Sequence, residues 1–565
     1  MVRTVTVWVG LALGGCVGVD SHGIAEPPPA LSPEASAARV SLALRGVRPT
    51  PEDHERVDGS RATLRSLAHE WAESDEFLAT MRDLHAQDWW LRVEEFGSPP
   101  AIGQVAWSNQ EDLRHSQAEE AAQLVAEVIA SGRPYTEIVT ADYTMANAVL
   151  ADAYGLDFDP SGPEWQRSSY LDGRPAAGVL STNGLWLRHF AGEANANRSR
   201  AAFVEWGLLC LDSADRLVSG DFPDPTDDEA VADAVNHEAA CVSCHQSLDP
   251  IASHFFGFRR HIFPFNIRDA FEEGCEDDAA LDCYPLTMYE PWEVGAWEER
   301  GLRPPSYFGL ESGHLASLGQ HIAEDPRFVD CTLERFWRYL AQSPIEEVSD
   351  QERLFWREEF IASGMDAREL AVSMVTSDRF LSPPEGGGVR TQALRPEQLA
   401  RVLEDVAGFE WRIDMSFEGC EGFSSGCLGQ MPRLLGNDRG FRMLGGGVDG
   451  WRVLSPTHDW TPSKTLVHTL AAEAAADHVV TQDFAVPAGE RRLLGGIEAE
   501  AQDGPAVRAQ IDQIYKRVLG VDLEEEALGE LEDIWHGAVA RDGDPAHGWR
   551  VVISAILQDP LFGVY

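Results

Sequence analysis

Cys241-Val242-Ser243-Cys244-His245 runs straight into Gln246-Ser247-Leu248-Asp249-Pro250. Cys-x-x-Cys-His is the attachment spacing of a c-type haem. Two thiols three positions apart reach the vinyl groups of one porphyrin, and the next residue then offers its imidazole to the iron. On this reading Cys241 and Cys244 bind one haem c covalently and His245 is an axial iron ligand. Two plainer readings use the same residues: a Cys241–Cys244 disulfide beside a histidine, or half of a zinc site. No second Cys-x-x-Cys accompanies the first, which weakens the zinc reading. Asp249-Pro250 reads as the end of the motif helix, because proline cannot continue the hydrogen-bond ladder.

Outward from the motif the chain reads as helical. Leu333, Phe336, Trp337 and Leu340 follow the i, i+3, i+4, i+7 spacing, as do Leu399, Val402, Leu403 and Val406. So do Ile511, Ile514, Tyr515 and Val518, and Trp549, Val552, Ile553 and Ile556. Each set puts one apolar stripe on a helix. The expected fold class is mainly α: a multi-domain helical protein with a cytochrome-c-like haem segment and short irregular or β pieces. Short strands are expected around 178–190 and 440–455. One phrase recurs: Ser74-Asp75-Glu76-Phe77, Asp325-Pro326-Arg327-Phe328, Ser377-Asp378-Arg379-Phe380 and Asp559-Pro560-Leu561-Phe562. It reads as a helix start, with Ser or Asp as cap and Phe packing inward.

At 565 residues the chain exceeds one core. The expected parts are a signal peptide over 1–15, a lipidated tether over 16–32, and an N-terminal helical domain over 33–130. A mixed loop and helix domain over 131–230 precedes the haem-binding domain over 231–381. A C-terminal helical domain over 389–565 follows the linker Ser382-Pro383-Pro384-Glu385-Gly386-Gly387-Gly388. Acidic residues number 93 against 45 basic ones, a net charge of -48, and only Lys464 and Lys516 are lysines. Such a surface repels nucleic acid and would steer a basic protein partner.

The N-terminus reads as an address. Arg3 precedes an apolar run over 4–15, too short to span a bilayer, which ends in Leu13-Gly14-Gly15-Cys16. This is similar to the lipobox of bacterial lipoproteins, in which Cys16 would carry the lipid that holds the protein on a membrane. The expected location is the envelope of a Gram-negative-type bacterium, on the periplasmic or outer-membrane face. Export favours disulfides. Of nine cysteines, six remain after Cys16, Cys241 and Cys244: Cys210, Cys275, Cys283, Cys331, Cys420 and Cys427. The simplest of fifteen pairings joins Cys275 to Cys283, Cys420 to Cys427 and Cys210 to Cys331.

The segment Cys241 to Ile251 resembles the C-x-x-C-H-x-x-hydrophobic-D-P-hydrophobic segment of a large planctomycete-type cytochrome-c-like family, also found in myxobacteria. Its members are multi-domain proteins mostly of unknown function with a single Cys-x-x-Cys-His. Other phrases resemble it in the same order: Leu42 to Pro49, Thr140 to Asn147, Gly178 to Ser181, Arg198 to Cys210, Leu394 to Leu399 and Gly445 to Asp449. The family continues D-P-x-G-F-x-x-E-x-aromatic-D, whereas here Asp249-Pro250 runs into Ala252-Ser253-His254-Phe255-Phe256-Gly257-Phe258. Roles of that Glu and Asp are therefore not carried over.

The sixth iron position separates the functions. A second strong ligand makes an electron carrier, and an open position permits peroxide or small-ligand chemistry. Met288, 44 residues after Cys244, is the first candidate; His254, His261, His314, His321 and Met431 are others. Phe255, Phe256, Phe258, Phe263 and Phe265 offer aromatic walls for a porphyrin, with ordinary core packing as the alternative for each. Arg259 and Arg260 offer partners for haem propionates, with a solvated basic pair as the alternative. Three functions follow: a haem electron-transfer lipoprotein with a redox partner protein, a haem-dependent oxidoreductase, and a non-haem surface scaffold whose Cys-x-x-Cys is only a disulfide. No catalytic residue is assigned.

Overall fold

The structure is a computed structural model. It describes residues 31–92, 101, 103–105, 107–108, 110–192, 195–211, 223–224, 227–259, 284–382, 391–414, 430–436, 440–502 and 504–565. The lipobox with Cys16, the cysteines Cys275, Cys283, Cys420 and Cys427, and Arg260, His261, Phe263 and Phe265 lie outside the described residues, as does most of the 382–388 linker.

The described chain is mainly helical. Its helices of nine or more residues are α1 (Pro33–Arg45), α2 (Arg61–Ala72), α3 (Asp75–Asp88), α4 (Gln110–Ala130), α5 (Asp228–His237), α6 (Ala239–Ala252), α7 (Leu315–Glu324) and α8 (Pro326–Ala341). They continue with α9 (Asp350–Ala362), α10 (Ala367–Val375), α11 (Pro396–Ala407), α12 (Pro462–Asp483), α13 (Gly504–Leu519), α14 (Glu525–Asp542) and α15 (Pro545–Leu557). Three two-stranded antiparallel ribbons join Thr144–Ala146 to Gln166–Ser168, Ser306–Tyr307 to Leu310–Glu311, and Arg412–Asp414 to Gln430–Pro432.

The four recurrent phrases are helix starts. Ser74 accepts from the Phe77 N–H, Asp325 from Arg327, Ser377 from Phe380 and Asp559 from Leu561. Phe77, Phe328, Phe380 and Phe562 are all buried. The cap satisfies an N–H that the helix leaves unpaired, and the phenylalanine fixes the entry angle by packing. The four apolar stripes on α8, α11, α13 and α15 are likewise buried.

Two expected strand regions are not strands. Residues 178–181 form a 3-10 turn and Asn183–Arg188 a short α-helix, while 440–455 is irregular. A short apolar run has no periodicity to separate strand from buried helix. Among the described residues no strand pairs with it; its N–H groups go to local turns, as in the Leu180 N–H to Ala177 bond, and to distant partners, Gly178 to the Ala141 carbonyl and Gly184 to the Glu120 carboxylate. In 440–455 the Asp449 carboxylate accepts from the N–H groups of Trp451, Arg452 and Val453 at 2.7–2.9 Å and bends the chain into a loop.

One hydrophobic cluster draws on residues from Ala37 to Leu381, so the segments 33–130, 131–230 and 231–381 share a core. A second gathers Leu394 to Phe562 and also Leu42. Helix α1 serves both: Val40, Ala43 and Leu44 enter the first and Leu42 the second. Polar ties follow the same seam. Gln398 donates to the Leu42 carbonyl at 2.9 Å, and Arg48 reaches the Leu519 carbonyl at 3.2 Å. Among the described residues no helix is long and apolar enough to cross a membrane.

Candidate functional site

The motif residues share one helix. Cys241, Cys244 and His245 sit on α6 at i, i+3 and i+4, one face of an α-helix. All three are partly exposed, and neither cysteine is disulfide-bonded. The Cys241–Cys244 disulfide reading is thereby not what the structure shows. The helix does not end at Asp249-Pro250 as expected. It runs through Pro250 to Ala252 and tightens into a 3-10 turn over Ser253–Phe255. Proline leaves the Gln246 carbonyl, one turn back, without its usual donor; the Asp249 carbonyl keeps its own, the backbone N–H of Ser253.

Continuing the helix places Asp249 one turn below His245. The His245 Nδ1 lies 2.9 Å from Asp249 Oδ1. A carboxylate accepts only, so the shared proton is on Nδ1, and in the neutral ring it is Nε2 that bears the free lone pair. Arg198, from the short helix Arg198–Ala202, grips the same carboxylate: Nε donates to Oδ1 at 2.7 Å and Nη2 to Oδ2 at 3.2 Å. The Asp249 side chain is 3 % exposed. Burial opposes its ionisation, but the bonds from His245 and Arg198 outweigh that and hold the carboxyl below its usual range. The Arg303 guanidinium donates to the His245 carbonyl at 2.7 Å and fixes the helix from the other side.

Below the motif, Phe203–Leu208 forms a π-helical turn, a form of helix that recurs at functional positions. It carries the buried Glu205, whose carboxylate accepts from the Ser247 hydroxyl at 3.1 Å. The turn is tied down by Cys210, which forms a disulfide with Cys331 of α8. Trp89 of the N-terminal segment donates to the Gly207 carbonyl at 3.0 Å.

The other sequence candidates are spread out. Met288 is buried in a third apolar cluster with Val149, Leu150, Tyr154, Tyr284 and Leu286, whereas Ile251 and Ala252 of α6 belong to the first cluster. Both ring nitrogens of His254 are engaged, Nδ1 by the Ile251 carbonyl and Nε2 by the Ser312 hydroxyl at 2.9 Å. His314 is exposed and caps α7, and His321 Nε2 meets the Glu311 carbonyl. Met431 lies in the ribbon strand Gln430–Pro432. Phe255 and Phe258 pack beneath the helix against Trp186, with ring centroids at 4.7 and 6.0 Å, so they serve the core. Arg259 pairs with Glu290 at 2.9 Å.

Comparison with known proteins adds one segment. Residues 31–156 match a family model described as a protein of unknown function, DUF1592. The match covers α1 to α4 and the chain to the end of the following short helix, and stops well before the motif. No curated protein and no solved structure matches the chain. The DUF1592-like segment supplies Trp89 under the π-helical turn, so it forms part of the floor on which the motif helix rests.

Sequence reading missed Asp249 as a partner of His245 and Arg198 altogether. The first has a signal, the i+4 spacing, which was masked by the adjacent proline. Arg198 lies 51 positions away and has none. Among the described residues no group of three or more His, Cys, Asp or Glu side chains is placed to hold a bare metal ion.

Proposed function

We propose that this chain is an exported, lipid-anchored c-type haem protein of the planctomycete and myxobacterial cytochrome-c-like kind, and that it transfers electrons to or from a protein partner. One observation carries the reading. Two cysteines that are not disulfide-bonded and a histidine share one partly exposed helical face, and that histidine's Nδ1 is already committed to a carboxylate. This donor set fits a haem c: Cys241 and Cys244 would hold it covalently and His245 would offer Nε2. The bound haem would supply one-electron chemistry. The protein's own part is to fix the imidazole, through Asp249 and the Arg303 contact to its backbone. The net charge of -48 would steer a basic partner, with an association rate that falls as salt rises.

The second reading, a haem-dependent oxidoreductase, is favoured by the engagement of His254 and the burial of Met288 in a separate apolar cluster. Both are committed elsewhere, His254 to the Ile251 carbonyl and the Ser312 hydroxyl and Met288 to apolar packing.

The deciding experiment matures the full chain with a c-type haem assembly system. Haem staining on a denaturing gel and a mass increase of one haem are expected, both lost in Cys244→Ser. Colour that extracts into acidic acetone would refute covalent attachment. A low-spin spectrum without peroxide turnover selects the carrier, and a high-spin spectrum with turnover selects the enzyme. An unacylated Cys16 in mature protein would remove the lipid anchor.

A further inference from the structure

We infer that Asp249 and Arg198 act as an opposed pair on the axial histidine, Asp249 lowering and Arg198 raising the reduction potential of the haem; the inference rests on the haem reading above. Three features of the geometry point to it. His245 and Arg198 bind the same oxygen, Asp249 Oδ1, at 2.9 and 2.7 Å. The carboxylate is almost fully enclosed, so solvent screens it little. Helix α6 is continuous from Cys241 through Asp249, so the carboxylate is held at a fixed turn below the ligand.

The physical consequences have opposite signs. A hydrogen bond from Nδ1–H to a full negative charge is stronger than one to a carbonyl. It pushes electron density toward Nε2, makes the imidazole a better donor and favours the oxidised metal, the usual effect of a carboxylate behind a metal-bound histidine. Arg198 draws on the same oxygen and supplies a compensating charge, so it weakens that push. Asp249 and Arg198 are therefore positioning residues: neither touches the iron, and both act through His245. A purely structural ion pair, clamping the helix Arg198–Ala202 onto α6, makes a different prediction. Either substitution would then loosen the same contact and change the haem site in the same direction.

The test is a spectroelectrochemical titration of the full-length haem-loaded protein and of Asp249→Asn, Asp249→Glu and Arg198→Gln, with haem content measured on each sample by the pyridine haemochrome assay. At a fixed poise Asp249→Asn should raise the ferrous-to-ferric ratio about tenfold, which is about 59 mV for a one-electron couple. Arg198→Gln should lower the ratio several-fold, and Asp249→Glu, which keeps the charge, should lie between wild type and Asp249→Asn. Shifts of the same sign in Asp249→Asn and Arg198→Gln, or a change under twofold in Asp249→Asn, overturn the proposal. If Asp249→Asn does not mature, Arg198→Gln decides alone, and a rise or no change overturns it. A wild type without covalent haem overturns the haem reading itself, which the haemochrome assay scores separately from any shift in potential.

Discussion

Breaking the Cys210–Cys331 disulfide should destabilise the body that carries the motif helix, by an amount the chain length sets. The bond spans 121 positions. In the loop-closure account, the crosslink removes from the unfolded chain an entropy of about 2.1 + 1.5R ln n cal/mol/K, which for this loop is about 16 cal/mol/K, or about 4.9 kcal/mol at 25 °C. That is a large part of the ~5–15 kcal/mol that stabilises a typical domain. The folded state loses little else, because Cys210→Ala with Cys331→Ala removes only two sulfurs, one of them in the buried Cys331. Urea unfolding followed by tryptophan fluorescence should show it. With an m value of about 3 kcal/mol/M, the midpoint should fall by about 1.6 M. The π-helical turn ends at Leu208, two residues before Cys210, so it should also open first, seen as faster amide exchange at Trp206 and Gly207. A midpoint shift under about 0.3 M at unchanged m would show that the crosslink does not restrict the unfolded chain, and the reasoning from loop length would be wrong.

Acid should destabilise the fold through buried histidines. Burial lowers His85 to about 3 and His254 and His468 to about 4, so they stay neutral in the fold while the unfolded chain protonates near pH 6.5. Burial holds His189 still further below its usual range, so with four such histidines stability should be full above about pH 7.5 and fall by about 5 kcal/mol per pH unit between pH ~5.5 and ~4.5; urea midpoints that stay level over that range would contradict this. Asp83→Ala should cost about 3–5 kcal/mol, because it removes a buried carboxylate shared by Arg92 and Arg401; a shift below 1 kcal/mol in urea unfolding would argue against the cluster. Gly184→Ala should cost about 1–3 kcal/mol or more, since its Cβ would lie 1.8 Å from the Gln117 carbonyl oxygen, and wild-type stability would show that α4 can yield there.

Much of the fold was legible in local sequence because helices are local objects. The stripe Leu333, Phe336, Trp337 and Leu340 has one physical solution, a helix with that face inward. The four Ser/Asp-to-Phe phrases likewise carry their own cap and their own buried anchor. The Cys-x-x-Cys-His spacing is equally local: any helix puts Cys241, Cys244 and His245 on one face. Where the physics needed a distant partner, the sequence was silent or misleading. Gly178–Arg188 is apolar enough for strand or helix, and only the lack of a pairing strand among the described residues decided for turns. Asp249 looked like part of a helix stop. Tertiary structure decided otherwise, because α6 packs on Arg198–Ala202 and Arg198 grips the Asp249 carboxylate. Local sequence thus determined that the two cysteines and the histidine share one helical face, whereas the fold determined what stands behind the histidine. An Asp–Arg contact 51 positions apart is set by how helices pack and by no pattern along the chain.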